Sequence, residues 1–234
     1  MRRSLVALAL LAAGFAMSGN VQAQYATHGP DSGSTPAPMP KDIDPVSKNR
    51  LPLPKREDMD DEGRKAYDKF IKDPADSVSH LQTPAGVRLY SPKVADDLED
   101  VSQYLRNGTA MSHRLTEIAI LVEAREMDDQ YIWANHEPIA QRAGVEAAII
   151  DIIKYGKPAA GLGEKETAII TYGRELFRQK KVSPDTFAKI YRLFGSRGTV
   201  ELASLMGVFN AISILDETVD VQLPDGKKAM LPAR

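Results

Sequence analysis

From about residue 56 onward, apolar residues recur near every 3.6 positions in one segment after another, and no run with the period-two alternation of a strand interrupts the series. That pattern predicts an all-α fold, a bundle of about eight helices in a single domain. The punctuation agrees with it. "DMDDEGRKAYDKFIK" carries acids in its first turn, and "PKVADDLEDVSQYLRNG" opens with Pro92 at a first-turn position and stops at Gly108. Ser112 is a natural cap for "SHRLTEIAILVEAREMD", and Gly144 separates helices over about 129–143 and 145–155. "EKETAIITYGRELFRQKK" follows. Then comes "SPDTFAKIYRLFG", which reads as cap, first helical position and first-turn acid. The long apolar "GTVELASLMGVFNAISILDETV" is the last helix, and "QTPAGVRLYSP", with two prolines, reads as a loop.

Both ends differ from this middle. Residues 1–23 have a basic start, a short apolar run from Leu5 to Ala16 and a Val-Gln-Ala ending, the pattern of a secretory signal peptide. The run is too short to span a bilayer, and nothing later reads as apolar for long enough, so a soluble protein is expected, exported to the periplasm or secreted, with no membrane attachment after cleavage. Residues 24–54 are rich in Pro, Gly, Ser and Asp and read as an extended leader, laid over the domain or a neighbouring subunit at "RLPLP". The helical domain is expected over 55–225, with a tail over 226–234.

Losing Arg2 and Arg3 with the signal takes the formal charge from −2 to −4. A mildly acidic chain without a Lys/Arg cluster is a poor match for nucleic acid. Cysteine is absent, which removes thiol nucleophiles, thiolate metal ligands and disulfide exchange together.

Two residues stand out by position. His136 lies on the stripe Ile132, Trp133, His136, Ile139, Ala140, Ala143, and Glu117 shares a face of the preceding helix with Ile120, Leu121 and Ala124. A carboxylate on an apolar face is costly unless paired. Glu117 therefore pairs either with His136, across two packed helices, or with His113 or Arg114 one turn back, as a solvated helix-start cluster. A histidine on an apolar stripe is also compatible with a purely structural role. His28, His80 and His113 receive no role. Pro138, two residues past His136, removes one helical bond and leaves the Ala134 carbonyl without its usual donor.

The segments "RLTEIAILVEARE", "QYIWANHEPIAQRAGV" and "ETAIITYGRELFRQKKVSPDTFAKIYRLFGSRGTVELASLMGVFNAISIL", in that order, resemble the carboxymuconolactone decarboxylase family, which includes the alkyl hydroperoxidase D (AhpD) proteins. The resemblance covers roughly residues 50–225. It implies an AhpD-like helical bundle that assembles into homo-oligomers, trimers or hexamers, with the site near a subunit interface. In the peroxidase branch the pattern C-x-x-C-x-x-x-H is joined by a glutamate on the preceding helix. Carried onto this chain, the histidine is His136, the glutamate Glu117, and the cysteine positions hold Asp129 and Ile132. Thiol peroxidase chemistry is thereby excluded. Decarboxylase-like members often read Y-E-W-x-x-H-E-P, whereas Ile132 stands here in place of that glutamate.

The function expected is lyase or lactone-processing chemistry on a small carboxylated lactone or related acid. His136 and Glu117 are the expected catalytic pair, and Trp133, Asp129, Ile132, Arg88 and Arg114 the expected substrate contacts. No cofactor and no metal are called for: Asp129, His136 and Glu117 lack a second histidine and a recognisable ligand spacing. The alternative is a non-catalytic helical binding or assembly protein that has lost the family's active-site residues.

Overall fold

The computed structural model describes residues 39–233, and the expected signal peptide and the first part of the expected leader lie outside them. Among the described residues there are nine α-helices and no strand: α1 Asp61–Phe70, α2 Ser77–Leu81, α3 Pro84–Val87, α4 Pro92–Asn107, α5 His113–Met127, α6 Gln130–Arg142, α7 Ala147–Lys154, α8 Glu164–Gln179 and α9 Pro184–Val219. The all-α bundle is as expected, with the short α2 and α3 additional to it.

Local chemistry sets most of the boundaries. Asp60 caps α1 by accepting from the Gly63 amide, Ser112 caps α5, Asp129 caps α6 and Ser183 caps α9 ahead of Pro184. Glu175 reinforces the last cap by accepting from the Ser183 amide and the Thr186 hydroxyl, both at 2.8 Å. The two apolar segments at the end of the chain are nearly continuous: α9 runs through Gly195, whose φ of 66° and ψ of −176° make a kink rather than a loop. Glycine reaches that left-handed backbone at little cost.

The expected loop at 82–92 is mostly helical. Thr83 caps α3 through the Gly86 amide, Pro84 takes the first helical position, and the chain continues as a 3-10 turn over Arg88–Tyr90. The prolines read as breaks, yet a proline at the first turn suits a helix. Gly86 is obligatory, because a Cβ there would lie 2.4 Å from the Leu81 carbonyl oxygen.

The core forms around α5, which packs on α6, α8 and α9. Every residue from Leu115 to Arg125 is buried, so α5 is enclosed on all sides. α9 supplies Leu202, Leu205, Met206 and Phe209 to the same core. By length and composition α9 is apolar enough to cross a membrane, contrary to the sequence reading, but in this fold it is a bundle helix. A smaller cluster of Ala66, Ile71, Leu81 and Leu89 joins α1, α2 and the 3-10 turn.

The two flanks pack on this bundle. The Arg50 amide donates to Val219 at 2.7 Å, the Gln222 amide to Lys48 at 2.9 Å, and the Tyr90 hydroxyl to Pro52 at 2.9 Å, which lays residues 48–52 over the end of α9 and the 3-10 turn. At the other end, Gln130 exchanges three bonds with Met230 and Leu231, and Arg125 donates to the Pro232 carbonyl, so the expected tail is docked on α6. Lys227 of that segment donates at 3.0 Å to the Ala134 carbonyl, the acceptor that Pro138 leaves free.

Candidate active site

Packing of α6 on α5 brings His136 Nδ1 to 2.8 Å from Glu117 Oε2. Glu117 is fully buried and His136 nearly so. The sequence left Glu117 a choice of partners, and it uses two: its other oxygen, Oε1, lies 3.2 Å from Nε2 of the half-exposed His113, one turn earlier on α5. That second contact is close enough for ion pairing but not aligned as a hydrogen bond, so Oε1 keeps an unused lone pair. A carboxylate facing Nδ1 places the imidazole proton there and leaves Nε2 available as acceptor or donor. Phe209 of α9 holds the ring by an edge contact, centroids 5.2 Å apart at 88°.

His136 opens onto a cleft of about 170 Å³ between α3 with its 3-10 turn, α4, α6 and α9. Its polar lining comes from Arg88, Glu99, Ser102, Arg106, Tyr131, Asn135 and His136, and its apolar lining includes Ile132, Phe209 and Ile212. The volume is below the about 300–1,000 Å³ of sites for drug-sized ligands and suits a small molecule. Burial raises the Tyr131 hydroxyl to about 12, so it is a neutral donor at physiological pH. A larger depression of about 480 Å³ lies between α4 and α9, but its polar groups satisfy one another: the Tyr104 hydroxyl donates to Glu201 at 2.6 Å and Arg197 binds both.

No family model matches the sequence, and no curated protein does. Solved structures do match. An uncharacterised peroxidase-related protein from Ralstonia eutropha JMP134, described as an alkylhydroperoxidase AhpD core, superposes with a TM-score of 0.58 at 11% identity over 78% of this chain and 95% of its own. A protein of unknown function from Agrobacterium tumefaciens, described provisionally as an antioxidant defence protein AhpD, gives 0.54 at 14% identity over 61% of this chain and 98% of its own. The chain has the AhpD-like fold.

Within that AhpD-like fold the expected site residues divide. His136, Ile132 and Arg88 line the cleft, and Glu117 supports it from behind. Asp129, at the first of the two positions where the resemblance puts the peroxidase thiols, faces away: it is 1% exposed and its Oδ1 accepts from the Ile132 amide at 2.8 Å as the α6 cap. Trp133 is fully buried in the core rather than in the cleft, with its Nε1 donating to Glu137 Oε2 at 2.5 Å and Lys154 above its ring. Arg114 is elsewhere as well. Its guanidinium donates to Gly144, Glu146 and Glu166, tying the α6–α7 joint to α8 away from the cleft. Among the described residues no group of three His, Asp or Glu is placed to hold a metal ion.

Sequence reasoning missed Arg106, Tyr131, Asn135, Glu99 and Ser102. The spacing of 99, 102 and 106 puts those three on one face of α4, a signal that was legible but indistinguishable from an ordinary solvated face. It also missed a buried acidic group beside the cleft. Glu123, Asp129 and Asp216 are 0%, 1% and 4% exposed. The Ser213 hydroxyl lies 3.2 Å from Glu123 Oε1, whereas neither oxygen of Asp216 has a donor among the described residues. Burial, then the charge of Asp129, drives Asp216 up to about 9, with Arg88 pulling the other way. Burial likewise raises Glu123 and Asp129.

Proposed function

We propose that the protein is a carboxymuconolactone decarboxylase-like lyase, carrying out acid–base chemistry on a small carboxylated lactone or related acid. The observation that carries this reading is the 2.8 Å bond from His136 Nδ1 to Glu117, made by a histidine whose ring faces a small cleft that also holds Arg88. Glu117 orients the ring and stabilises the imidazolium that forms when Nε2 takes a proton. Loss of carbon dioxide from a lactone acid breaks a carbon–carbon bond and leaves the electron pair on carbon, delocalised onto the lactone carbonyl. The charge then needs donors around the oxygen and a proton at the carbon. His136 Nε2 delivers that proton, and the Tyr131 hydroxyl and Arg88 are the donors available to the oxygen. Thiol peroxidase chemistry has no place here, because the chain contains no cysteine.

The test is turnover of small carboxylated lactones, followed by carbon dioxide release and proton NMR, with the wild type, His136→Ala and Glu117→Gln. A general acid–base residue contributes about 100- to 10,000-fold. His136→Ala should fall by that range and Glu117→Gln by less. Turnover equal in all three, or absent from the wild type across the series, overturns the reading and leaves a non-catalytic helical protein.

A further inference from the structure

The cleft contains two guanidinium groups, and only one of them is neutralised. Arg88, 7% exposed, sits 3.4 Å from Glu99, which lines the same cleft. Arg106, two turns beyond Glu99 on α4, has no ion-pair or hydrogen-bond partner among the described residues. The Nε atoms of both arginines are buried without an acceptor. An arginine in the last turn of a helix gains from the helix dipole, but that gain requires neither a buried Nε nor a place in a cleft. A half-buried guanidinium holding unused donors toward a cavity is a fork for a planar anion.

The other acidic groups near the cleft are not part of its lining. Glu117 is engaged by His136 and approached by His113. Asp216, whose field reaches Arg88, is kept neutral at pH 7 by its burial. Two arginines against one glutamate leave one net positive charge among the Arg, Lys, Asp and Glu side chains that line this cavity of about 170 Å³.

We propose that Arg106, with Arg88 beside it, is the anion-binding subsite of this cleft and takes one carboxylate of a small acid, with Glu99 setting the preference for a monoanion over a dianion. The inference rests on the reading of the His136 cleft as the site and names the group by which its substrate is held. Arg106 supplies the free paired donors. Glu99 holds Arg88 back from binding a second carboxylate, so removing its charge turns a site for one negative charge into a site for two.

The experiment is calorimetric titration of the purified protein at pH 7 with γ-butyrolactone carboxylate, its methyl ester, and succinate. The carboxylate binds and the ester binds at least about tenfold more weakly, a comparison made on the wild type and so independent of any folding defect. Arg106→Gln weakens carboxylate binding at least about tenfold, and Arg106→Lys, which keeps the charge but loses the fork, falls between. Glu99→Gln tightens succinate more than the monocarboxylate. Equal affinity of acid and ester, or an unchanged affinity in a folded Arg106→Gln, overturns the proposal. Turnover by the wild type separates the two readings: carboxylate binding that depends on Arg106, in a wild type that turns over no lactone acid, sustains the subsite and removes the reaction.

Discussion

Asp216→Asn tests the electrostatics of this fold with one atom. Asp216 is 4% exposed, neither of its oxygens has a donor among the described residues, and burial raises it from an ordinary 3.8 to about 9. Below about pH 4 the folded and unfolded chains both carry its proton. Between about 4 and 9 the unfolded chain has lost the proton and the folded chain has not, so stability falls as pH rises; above about 9 the loss is complete. Each unit is worth about 1.4 kcal/mol, and about 3 units separate an ordinary carboxyl from pH 7, which makes the cost there about 4 kcal/mol. Asparagine has nearly the same shape and does not titrate. Urea unfolding followed by the fluorescence of Trp133, the single and fully buried tryptophan, measures the difference directly. The variant should be the more stable protein at pH 8, and its advantage should shrink toward pH 5 by up to about 1.4 kcal/mol per unit, leaving a residual slope due to Glu123 and Asp129. An advantage that is the same at pH 5 and pH 8, or a wild type that gains stability with rising pH relative to the variant, refutes the neutral, buried Asp216.

Trp133→Phe removes the donor to Glu137 and should cost about 1–3 kcal/mol in urea unfolding followed by circular dichroism, while leaving the affinity for γ-butyrolactone carboxylate unchanged because the ring is outside the cleft. Lys227→Met strips the Ala134 carbonyl of its only side-chain donor among the described residues and should cost about 1 kcal/mol. It should also make the chain beyond Gln222 cleave faster in limited proteolysis; equal cleavage would show that Gln130 and Arg125 suffice to hold the docked segment.

What the sequence discloses is what short range decides. Caps at Ser112, Asp129 and Ser183 act over three residues, so they can be read one helix at a time. The partner of Glu117 depends on how α5 and α6 cross, and no spacing within α5 separates His113 from His136. Trp133 was misplaced for a related reason. On α6 the apolar stripe is wide enough to meet two environments, with Trp133 and Ala140 turned into the core and Ile132 and His136, about 100° and a further turn away, on the cleft. Periodicity reports that a face is covered, not what covers it. Nothing in α4 alone marks Arg106 as lining a cleft, because the facing side of that cleft comes from residues 83–88, a segment whose prolines read as a loop.

The cost of the acidic interior bears on the choice between a working site and an inert scaffold. Glu117, Glu123, Asp129 and Asp216 are all at most 4% exposed, and only Glu117 has a basic partner within ion-pairing distance. Well-packed apolar residues of similar size are commonly neutral or stabilising replacements for buried charged groups, so a protein needing only a helical framework gains nothing from keeping these. Groups whose protonation is displaced by burial tend to lie where protons are moved. Here Ile132, whose amide Asp129 accepts from, and Phe209 and Ile212, on the α9 face that carries Ser213 and Asp216, line the cleft. Buried, unpaired carboxyl groups thus share elements with residues that line the cleft, and the one ion-paired carboxylate among them holds the only histidine among the described residues that lines it.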